Sequence, residues 1–172
     1  MITIIIGTNR KDNFSQKIAK AYLGLLTDLD QDAQILHLNQ LPASILDESV
    51  YSNKPQELLD IHAKYISPAD KFVFVVPEYQ GGFPGILKLF LDTSPGPFFR
   101  KKKAGLIGLS SGRAGNLRGT DQLTNVLNYL KVNVHFSKPK ISGVESLFSG
   151  DELIDGDTIN LLKDHAKAIA QF

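Results

Sequence analysis

The 172-residue sequence predicts an α/β domain, a three-layer sandwich whose five-stranded parallel sheet of order 2-1-3-4-5 lies between layers of helices. Short apolar segments alternate with segments of helical periodicity along the chain, which is typical of repeated β-α units. The segment Phe72–Val76 is apolar without alternation, as expected for a parallel strand covered on both faces. We therefore expect residues 1–172 to form one domain with right-handed crossovers.

The first strand and its helix are predicted from the start of the chain. Ile2–Ile6 is a short apolar run that ends at Gly7, and a polar loop follows it. Ser15 is the predicted N-cap of the next helix, because serine side chains accept the free N–H groups of a first turn. One face of that helix carries Ile18, Ala19, Tyr22, Leu23 and Leu26.

The second strand is predicted at Ala33–Leu38. Residues 39–54 show weak periodicity and are expected to form an irregular loop. Ser52 or Asn53 can cap the next helix, which would have Pro55 in its first turn.

The third strand, Phe72–Val76, runs directly into Pro77-Glu78-Tyr79-Gln80-Gly81-Gly82. A helix at Phe83–Asp92 follows, because Pro84 fixes φ for a first helical turn. The remaining elements are a strand at Ala104–Leu109, a helix at Thr120–Lys131, a strand at Val132–Phe136 that can resume near Ile141, and a helix capped by Asp157 or Thr158.

Composition excludes several functional classes. The sequence contains no cysteine, which excludes disulfide frameworks, thiol nucleophiles and thiolate metal sites. Its net charge of +1 disfavours a dedicated nucleic-acid binder. Met1 leads directly into the first strand without a basic n-region, and no apolar run is long enough to span a membrane. We expect a cytoplasmic protein with no membrane or nucleic-acid partner.

Two groups of basic residues carry open interpretations. Arg100-Lys101-Lys102-Lys103 precedes the fourth strand and is either a solvated loop and strand edge or a phosphate-binding cluster. Arg113 and Arg118 lie in the loop after the fourth strand, where they could meet a second, phosphorylated ligand.

Three unusual loops are predicted to converge on one crevice. They follow strands 1, 3 and 4, whose carboxyl ends are adjacent in the order 2-1-3-4-5, and ligands bind at such edges of open α/β sheets. The loops are Thr8–Lys17, Pro77–Gly82 and Ser110–Gly119. This convergence predicts a ligand site.

The loop chemistry favours a phosphate and a planar ring, although each loop also has a plain structural interpretation. The first loop lacks the Walker and G-x-G-x-x-G patterns, but it offers Arg10 and a helix N-terminus to a terminal phosphate. The alternative is a polar capped turn. The second loop offers backbone N–H groups, and Tyr79 could cover a ring face; the alternative is an ordinary turn rich in Pro and Gly. Glu78 either contacts a ligand or is a structural partner.

Residues of all three loops resemble the NADPH-dependent FMN reductases. The similarity lies in Gly7-Thr8-Asn9-Arg10 with Ser15, in Pro77-Glu78-Tyr79-Gln80-Gly81 followed by Pro84-Gly85-Ile86-Leu87-Lys88 and Asp92, and in Ser111-Gly112 with Gly115. That family has a flavodoxin-like fold and includes quinone, azo and chromate reductases. The resemblance implies FMN as cofactor, NADPH or NADH as co-substrate, a small-molecule electron acceptor, and a homodimer or homotetramer.

The resemblance also implies which residues contact the cofactor. By similarity, the FMN phosphate is held by Thr8, Arg10, Ser15, Gln16 and Lys17. The isoalloxazine is framed by Pro77, Glu78, Tyr79, Gln80 and Gly81, with Ser111 and Gly112 nearby. Gln80 stands where the family commonly has Asn.

Hydride transfer through FMN needs no side-chain nucleophile, because the cofactor carries the chemistry. We therefore assign no catalytic residue and no metal site. The scattered histidines, His37, His62, His135 and His165, are interpreted as surface residues of strands and helices rather than as metal ligands. Two alternatives stay open: a flavodoxin-type electron carrier, although such carriers are typically strongly acidic, and a non-enzymatic interaction domain that has lost flavin.

Overall fold

The computed structural model describes all 172 residues, Met1–Phe172, and its main sheet confirms the predicted strand order. The strands of the main sheet are β1 (Ile2–Ile6), β2 (Ala33–His37), β3 (Lys71–Pro77), β4 (Lys103–Leu109), β5 (Asn133–Val134) and β6 (Lys140–Ile141). All neighbouring strands are parallel, and β5 and β6 both pair with β4. The predicted fifth strand is therefore divided into two short strands, and the second, Lys140–Ile141, confirms the expectation that the strand resumes near Ile141.

Helices cover both faces of the sheet. They are α1 (Phe14–Thr27), α2 (Gln56–Ile61), α3 (Gly85–Thr93), α4 (Leu117–Tyr129) and α5 (Gly156–Gln171). A π-helical turn at His62–Ile66 continues α2. Short 3-10 turns occupy much of the segment predicted as an irregular loop, at Leu38–Gln40, Ala43–Leu46 and Glu48–Tyr51. A hairpin of β7 (Phe148–Ser149) and β8 (Glu152–Leu153), which the sequence did not predict, precedes α5. None of these helices has both the length and the apolar character needed to cross a bilayer.

Side chains of each strand alternate between two hydrophobic cores. In β3, Val73 and Val75 pack with residues of α1 and α5, whereas Phe72 and Phe74 pack with residues of α2, α3 and α4. All four side chains are fully buried. Burial of a side chain of this size contributes about 1.5–3 kcal/mol. The continuous apolar sequence of β3 thus reflects its position between two layers of helices.

Two helices are capped earlier than predicted. Asn13, not Ser15, is the N-cap of α1, and its Oδ1 accepts a backbone N–H of the first turn at 2.9 Å. Asp155 caps α5 by accepting the N–H of Thr158 at 2.8 Å, so the prediction of Asp157 or Thr158 as the cap was wrong. In both cases the capping residue has extended backbone angles, and its side chain accepts the backbone N–H of the residue three positions later, which is the usual capping geometry.

The cap predicted for α2 was also wrong. The helix starts directly after Pro55, and neither Ser52 nor Asn53 caps it. The hydroxyl of Ser52 donates to the carbonyl of Ser49 instead, which closes the preceding 3-10 turn.

The boundaries of α3 and α4 differ from the prediction by a few residues. α3 begins at Gly85 because Pro84 has extended backbone angles rather than helical ones. α4 begins at Leu117, earlier than the predicted Thr120, and follows Asn116, whose φ is 60°. Lys131 has a φ of 63° and lies beyond the end of α4.

The prediction that the histidines lie on the surface was wrong, because all of them are buried. His62 stacks between Phe90 and Phe98, with ring centroids 5.5 Å and 5.3 Å away. His165 Nδ1 lies 2.8 Å from the hydroxyl of Tyr22. Burial lowers the pKa of both histidines, so each serves as a neutral core residue.

The basic run Arg100-Lys101-Lys102-Lys103 lies at the amino end of β4, whereas Leu109 forms the carboxyl end of that strand. Lys102 Nζ donates to the carbonyls of Ile66 and Ser67, at 2.5 Å and 3.1 Å. Lys103 Nζ donates to the carbonyl of Phe172. Both lysines therefore bond to carbonyls near helix ends, which corresponds to the interpretation of the run as a loop and strand edge.

Candidate functional site

The carboxyl ends of β1, β3 and β4 open into a cleft of about 240 Å³, and each of the three predicted loops contributes to its wall. The cleft is lined by Arg10, Asp12, Asn13, Phe14, Ser15, Pro77, Glu78, Tyr79, Leu109, Ser110, Ser111, Val144 and Glu145. The structure thus brings together Arg10, Ser15, Pro77, Glu78, Tyr79 and Ser111 from the predicted site.

Thr8 and Arg10 are joined to Tyr79 across the cleft. The Tyr79 hydroxyl lies 2.7 Å from Oγ1 of the fully buried Thr8. The same Oγ1 accepts the backbone N–H of Arg10 at 3.2 Å, and the Arg10 guanidinium carbon is 5.8 Å from the centre of the Tyr79 ring. Tyr79 therefore supports the first loop, a role that its sequence context did not indicate.

The start of α1 presents unused hydrogen-bond donors to the cleft. Ser15 lines the cleft with 1% of its surface exposed, and its hydroxyl has no partner within the protein. The backbone N–H groups of Phe14 and Ser15 also donate to no protein acceptor. Buried donors without partners are uncommon, and donors at the positive end of a helix attract anions.

Two predicted phosphate ligands lie away from this group of donors. The backbone N–H of Gln16 is used by the Asn13 cap, and its side chain does not line the cleft. Lys17 Nζ donates to the carbonyl of Gly150 at 2.6 Å and pairs with Asp151 at 2.9 Å. The ammonium group of Lys17 is therefore held beside the β7–β8 hairpin.

The loop after β3 is a tight turn centred on Gln80 and Gly81, with φ values of 52° and 76°. Tyr79 and Gly82 exchange backbone hydrogen bonds of 2.9 Å and 3.1 Å across this turn. Both central residues have positive φ, as in a type I′ turn, for which Asn and Gly are favoured. The N–H groups of Gln80 and Gly81 donate to no protein acceptor, so they are available to a ligand at the turn.

Glu78 is tied to the start of α4. Its Oε2 accepts the backbone N–H of Asn116 at 3.2 Å, and the Asn116 side chain donates to the carbonyls of Val76 and Pro77, both at 3.0 Å. Asn116 is fully buried and locks the second loop to the third. The sequence did not indicate this role of Asn116, because asparagine is common in glycine-rich loops.

The loop after β4 forms the other wall of the cleft. Ser110 Oγ donates to the carbonyl of Gly112 and accepts the N–H of Gly115, each at 2.9 Å. Ser111 Oγ donates to a carboxylate oxygen of Glu145 at 3.0 Å. A Cβ at Gly112 would meet no atom within 4 Å, so open space adjoins this residue on the exposed side of the loop.

Arg113 and Arg118 lie outside the cleft itself and are exposed. An Arg118 Nη atom is 3.9 Å from the position that a Cβ on Gly81 would take. Arg118 therefore adjoins the turn after β3 and can meet a ligand that extends beyond it.

Sequence reasoning missed several residues of the cleft wall, namely Asp12, Asn13, Phe14, Leu109, Ser110, Val144 and Glu145. Val144 and Glu145 follow β6, and no sequence signal marks that segment because β6 has only two residues. Asp12 to Phe14 could have been found, since they lie in the predicted first loop.

The donor set of this cleft fits FMN. The unpartnered hydroxyl of Ser15 and the free N–H groups at the start of α1 suit a phosphate, and Arg10 adds a positive charge. Gln80 and Gly81 do not line the cleft, but their turn directly follows Tyr79 of its wall and offers N–H groups to the polar edge of a flat heterocycle. The two kinds of donor belong to loops that Tyr79 connects.

Comparison with known proteins supports FMN as the cofactor. A model of the family described as NADPH-dependent FMN reductase matches residues 1–141. The chain is 29% identical over 135 residues to a 2-hydroxy-1,4-benzoquinone reductase of Burkholderia sp, covering 76% of this chain and 72% of that protein. It is 30% identical over 151 residues to an NAD(P)H-dependent FMN reductase of Schizosaccharomyces pombe, covering 82% and 72%.

Solved structures show the same fold. The flavoenzyme NAD(P)H:(acceptor) oxidoreductase FerB of Paracoccus denitrificans superposes with a TM-score of 0.84 at 22% identity, covering 99% of this chain and 94% of that one. The flavodoxin of Megasphaera elsdenii superposes with a TM-score of 0.64 at 13% identity and full coverage of both chains, 100% each. The fold is therefore flavodoxin-like, as the sequence predicts.

Proposed function

Because the chain belongs to the NADPH-dependent FMN reductase family, we propose that its cleft holds FMN and that the enzyme passes a hydride from NADPH or NADH, through this FMN, to a small acceptor. The protein is an NAD(P)H-dependent flavin oxidoreductase. Relatives named as quinone reductase and FMN-dependent NADPH-azoreductase support a flavin, a quinone or a similar small molecule as the acceptor.

The observation that carries the proposal is the unpartnered hydroxyl of Ser15 at the start of α1. A buried hydroxyl without a partner costs about 1–3 kcal/mol, and a phosphate oxygen would satisfy it. Arg10 would bind the same group from the first loop, and Thr8 would act by keeping Arg10 in place. Gln16 supports the helix start, and Lys17, which is paired with Asp151, adds only longer-range positive charge.

The ring end of the cofactor would lie between the loops after β3 and β4. Pro77, Glu78 and Tyr79 form one wall, the N–H groups of Gln80 and Gly81 meet the polar edge, and Ser111 with Gly112 closes the other side. When bound, FMN supplies the centre that accepts and donates the hydride. The side chains bind, orient and partly shield that centre, so we assign none of them a catalytic role.

Three further properties stay predictions. We expect residues 1–172 to act as one domain in the cytoplasm and to form a homodimer or homotetramer. Exposed apolar side chains support association, because Tyr129 is 87% exposed and Leu117 is 45% exposed on α4.

The function is tested by adding FMN to the purified protein, removing free flavin, and recording the visible spectrum. A retained flavin band followed by steady NADPH oxidation with FMN or a quinone in excess is the expected result. Failure to retain FMN would contradict the proposal. Retention of FMN without turnover of NADPH would indicate an electron carrier instead.

A further inference from the structure

The charges that line the cleft are mainly negative. Arg10 is the only cation in the wall, whereas Asp12, Glu78 and Glu145 are acidic. None of the three carboxylates forms a salt bridge. The electrostatic potential in the cleft therefore depends on how far nearby positive charge or helix dipoles offset the negative charge of each carboxylate.

Two of these carboxylates lie beside helix starts. Glu78 accepts the N–H of Asn116, the residue directly before α4, and Asp12 directly precedes the Asn13 cap of α1. The positive end of a helix dipole offsets negative charge at such positions. Each of these two charges is thus partly balanced by the fold.

Glu145 also lies near a helix start, but that helix is a single 3-10 turn of 4 residues, which is too short to build up a comparable dipole. Its hydrogen-bond partner is the neutral hydroxyl of Ser111, at 3.0 Å, and it lies in the short 3-10 turn Val144–Leu147. Ser111 belongs to the loop after β4, at the ring end of the proposed FMN site. The hydrogen bond therefore fixes an uncompensated carboxylate on that side of the cleft.

We infer that Glu145, held by Ser111, lowers the reduction potential of FMN in this cleft. The inference rests on the proposed function. Hydride transfer from NADPH brings two electrons and one proton to FMN and leaves NADP⁺, so the reduced cofactor carries one more negative charge than the oxidised one until solvent supplies a second proton. A fixed carboxylate disfavours that added charge and makes the bound flavin a stronger reductant.

The test compares the wild type with Glu145→Gln and with Glu152→Gln. Glu152 is an exposed acid of β8 outside this cleft, so its variant has the same change in net charge. The two-electron midpoint potential of the FMN complex is measured by equilibration with a reference dye, and dissociation constants are measured for oxidised and reduced FMN.

In Glu145→Gln we expect reduced FMN to bind about tenfold more tightly relative to oxidised FMN, which raises the potential by about 30 mV for a two-electron couple. We expect no larger shift in the potential, because Glu145 is exposed and its charge is screened by solvent and salt. Glu152→Gln should match the wild type.

Two results would overturn the inference: an unchanged potential in Glu145→Gln, and an equal shift in both variants. An unchanged potential with equal tightening of oxidised and reduced FMN, absent with riboflavin, would place the carboxylate against the phosphate. A wild-type protein that takes up no FMN would overturn the proposed function as well, whereas FMN uptake with an unchanged potential overturns the role of Glu145 alone.

Discussion

The hydroxyl of Tyr79 and Oγ1 of Thr8 lie 2.7 Å apart although the residues are 71 positions apart in the chain. Thr8 is fully buried, and the same oxygen accepts the N–H of Arg10 at 3.2 Å. The loop that is expected to meet the flavin ring therefore also supports the loop that is expected to meet the phosphate. One tyrosine therefore joins the two ends of the proposed cofactor site.

Replacing Tyr79 by Phe should weaken both the fold and FMN binding. The change removes a partly buried hydrogen bond and leaves the Thr8 hydroxyl without that partner, which costs about 1 kcal/mol in the free energy of unfolding. Thr8 Oγ1, which accepts the N–H of Arg10, loses one of its two partners and holds Arg10 less firmly, so FMN affinity should fall several-fold while riboflavin affinity changes less. Urea unfolding and flavin fluorescence titration measure the two effects.

A double-mutant cycle tests whether the effect passes through Thr8. Tyr79→Phe and Thr8→Val should each be destabilising, and their combination should cost less than the sum because both remove the same bond. Tyr51→Phe is the matched control, since Tyr51 is 61% exposed. Strict additivity of the two changes would argue against the link.

Ser15→Ala should separate stability from binding. The Ser15 hydroxyl is buried without a partner, so its removal should leave the free energy of unfolding of the protein without flavin unchanged or slightly higher. The affinity for FMN should fall about tenfold to a hundredfold, because a hydrogen bond to a charged group contributes about 1.5–3 kcal/mol.

Riboflavin provides the control for Ser15→Ala, because it lacks the phosphate. Its dissociation constant should be the same for the variant and the wild type. A parallel loss of riboflavin affinity would show that Ser15 serves the ring end or the general shape of the cleft.

The regular part of this structure was predictable because its signals are local. The apolar run Ile2–Ile6 corresponds to β1 without change, and the apolar run of β3 correctly indicated a strand covered on both faces. The strand order follows from the number and alternation of these elements. Capping was harder, because Asn13 and Ser15 have similar intrinsic preferences and the backbone angles decide between them.

The candidate site was predictable only where it belongs to the three loops. Their convergence follows from topology, whereas the bond between Tyr79 and Thr8 depends on side-chain direction across two strands. Glu145 enters the cleft from a segment whose strand has two residues and leaves no periodic pattern. The burial of His165 likewise depends on packing between α1, α5 and the sheet, which no local window shows.

Acid should destabilise the protein through His165. Burial, followed by the charge of nearby His135, lowers the pKa of His165 to about 4 from the ordinary value of 6.5, so the folded state favours the neutral ring. The resulting stability is fully present above pH 6.5 and is lost as the pH falls from 6.5 towards 4. The loss amounts to about 3 kcal/mol, at roughly 1.4 kcal/mol for each pKa unit.

Urea unfolding of the wild type and of His165→Gln measures how the free energy of unfolding depends on pH. The range from pH 7.5 to pH 4.5, about three pH units, covers most of the titration of His165. The variant should lose less stability on acidification, although burial also lowers the pKa of His37 and His62 and leaves a smaller slope in the same direction. A slope in the variant as steep as that of the wild type would assign the acid sensitivity to other groups.

Replacing Gln80 by Asn should stabilise the turn after β3. Gln80 has a φ of 52° and Gly81 a φ of 76°, and a side chain at the first of these positions is strained unless it is Asn or Asp. We expect a gain of about 1 kcal/mol in the free energy of unfolding, or about 2–4 °C in Tm. Gln80→Val should have the opposite effect because a β-branched residue tolerates positive φ least.

Gln171→Asn, at the exposed end of α5, is the matched control and should not raise Tm. An unchanged or lower Tm in Gln80→Asn would show that glutamine is held in this conformation by contacts of its own, and that the departure from the family residue carries no cost.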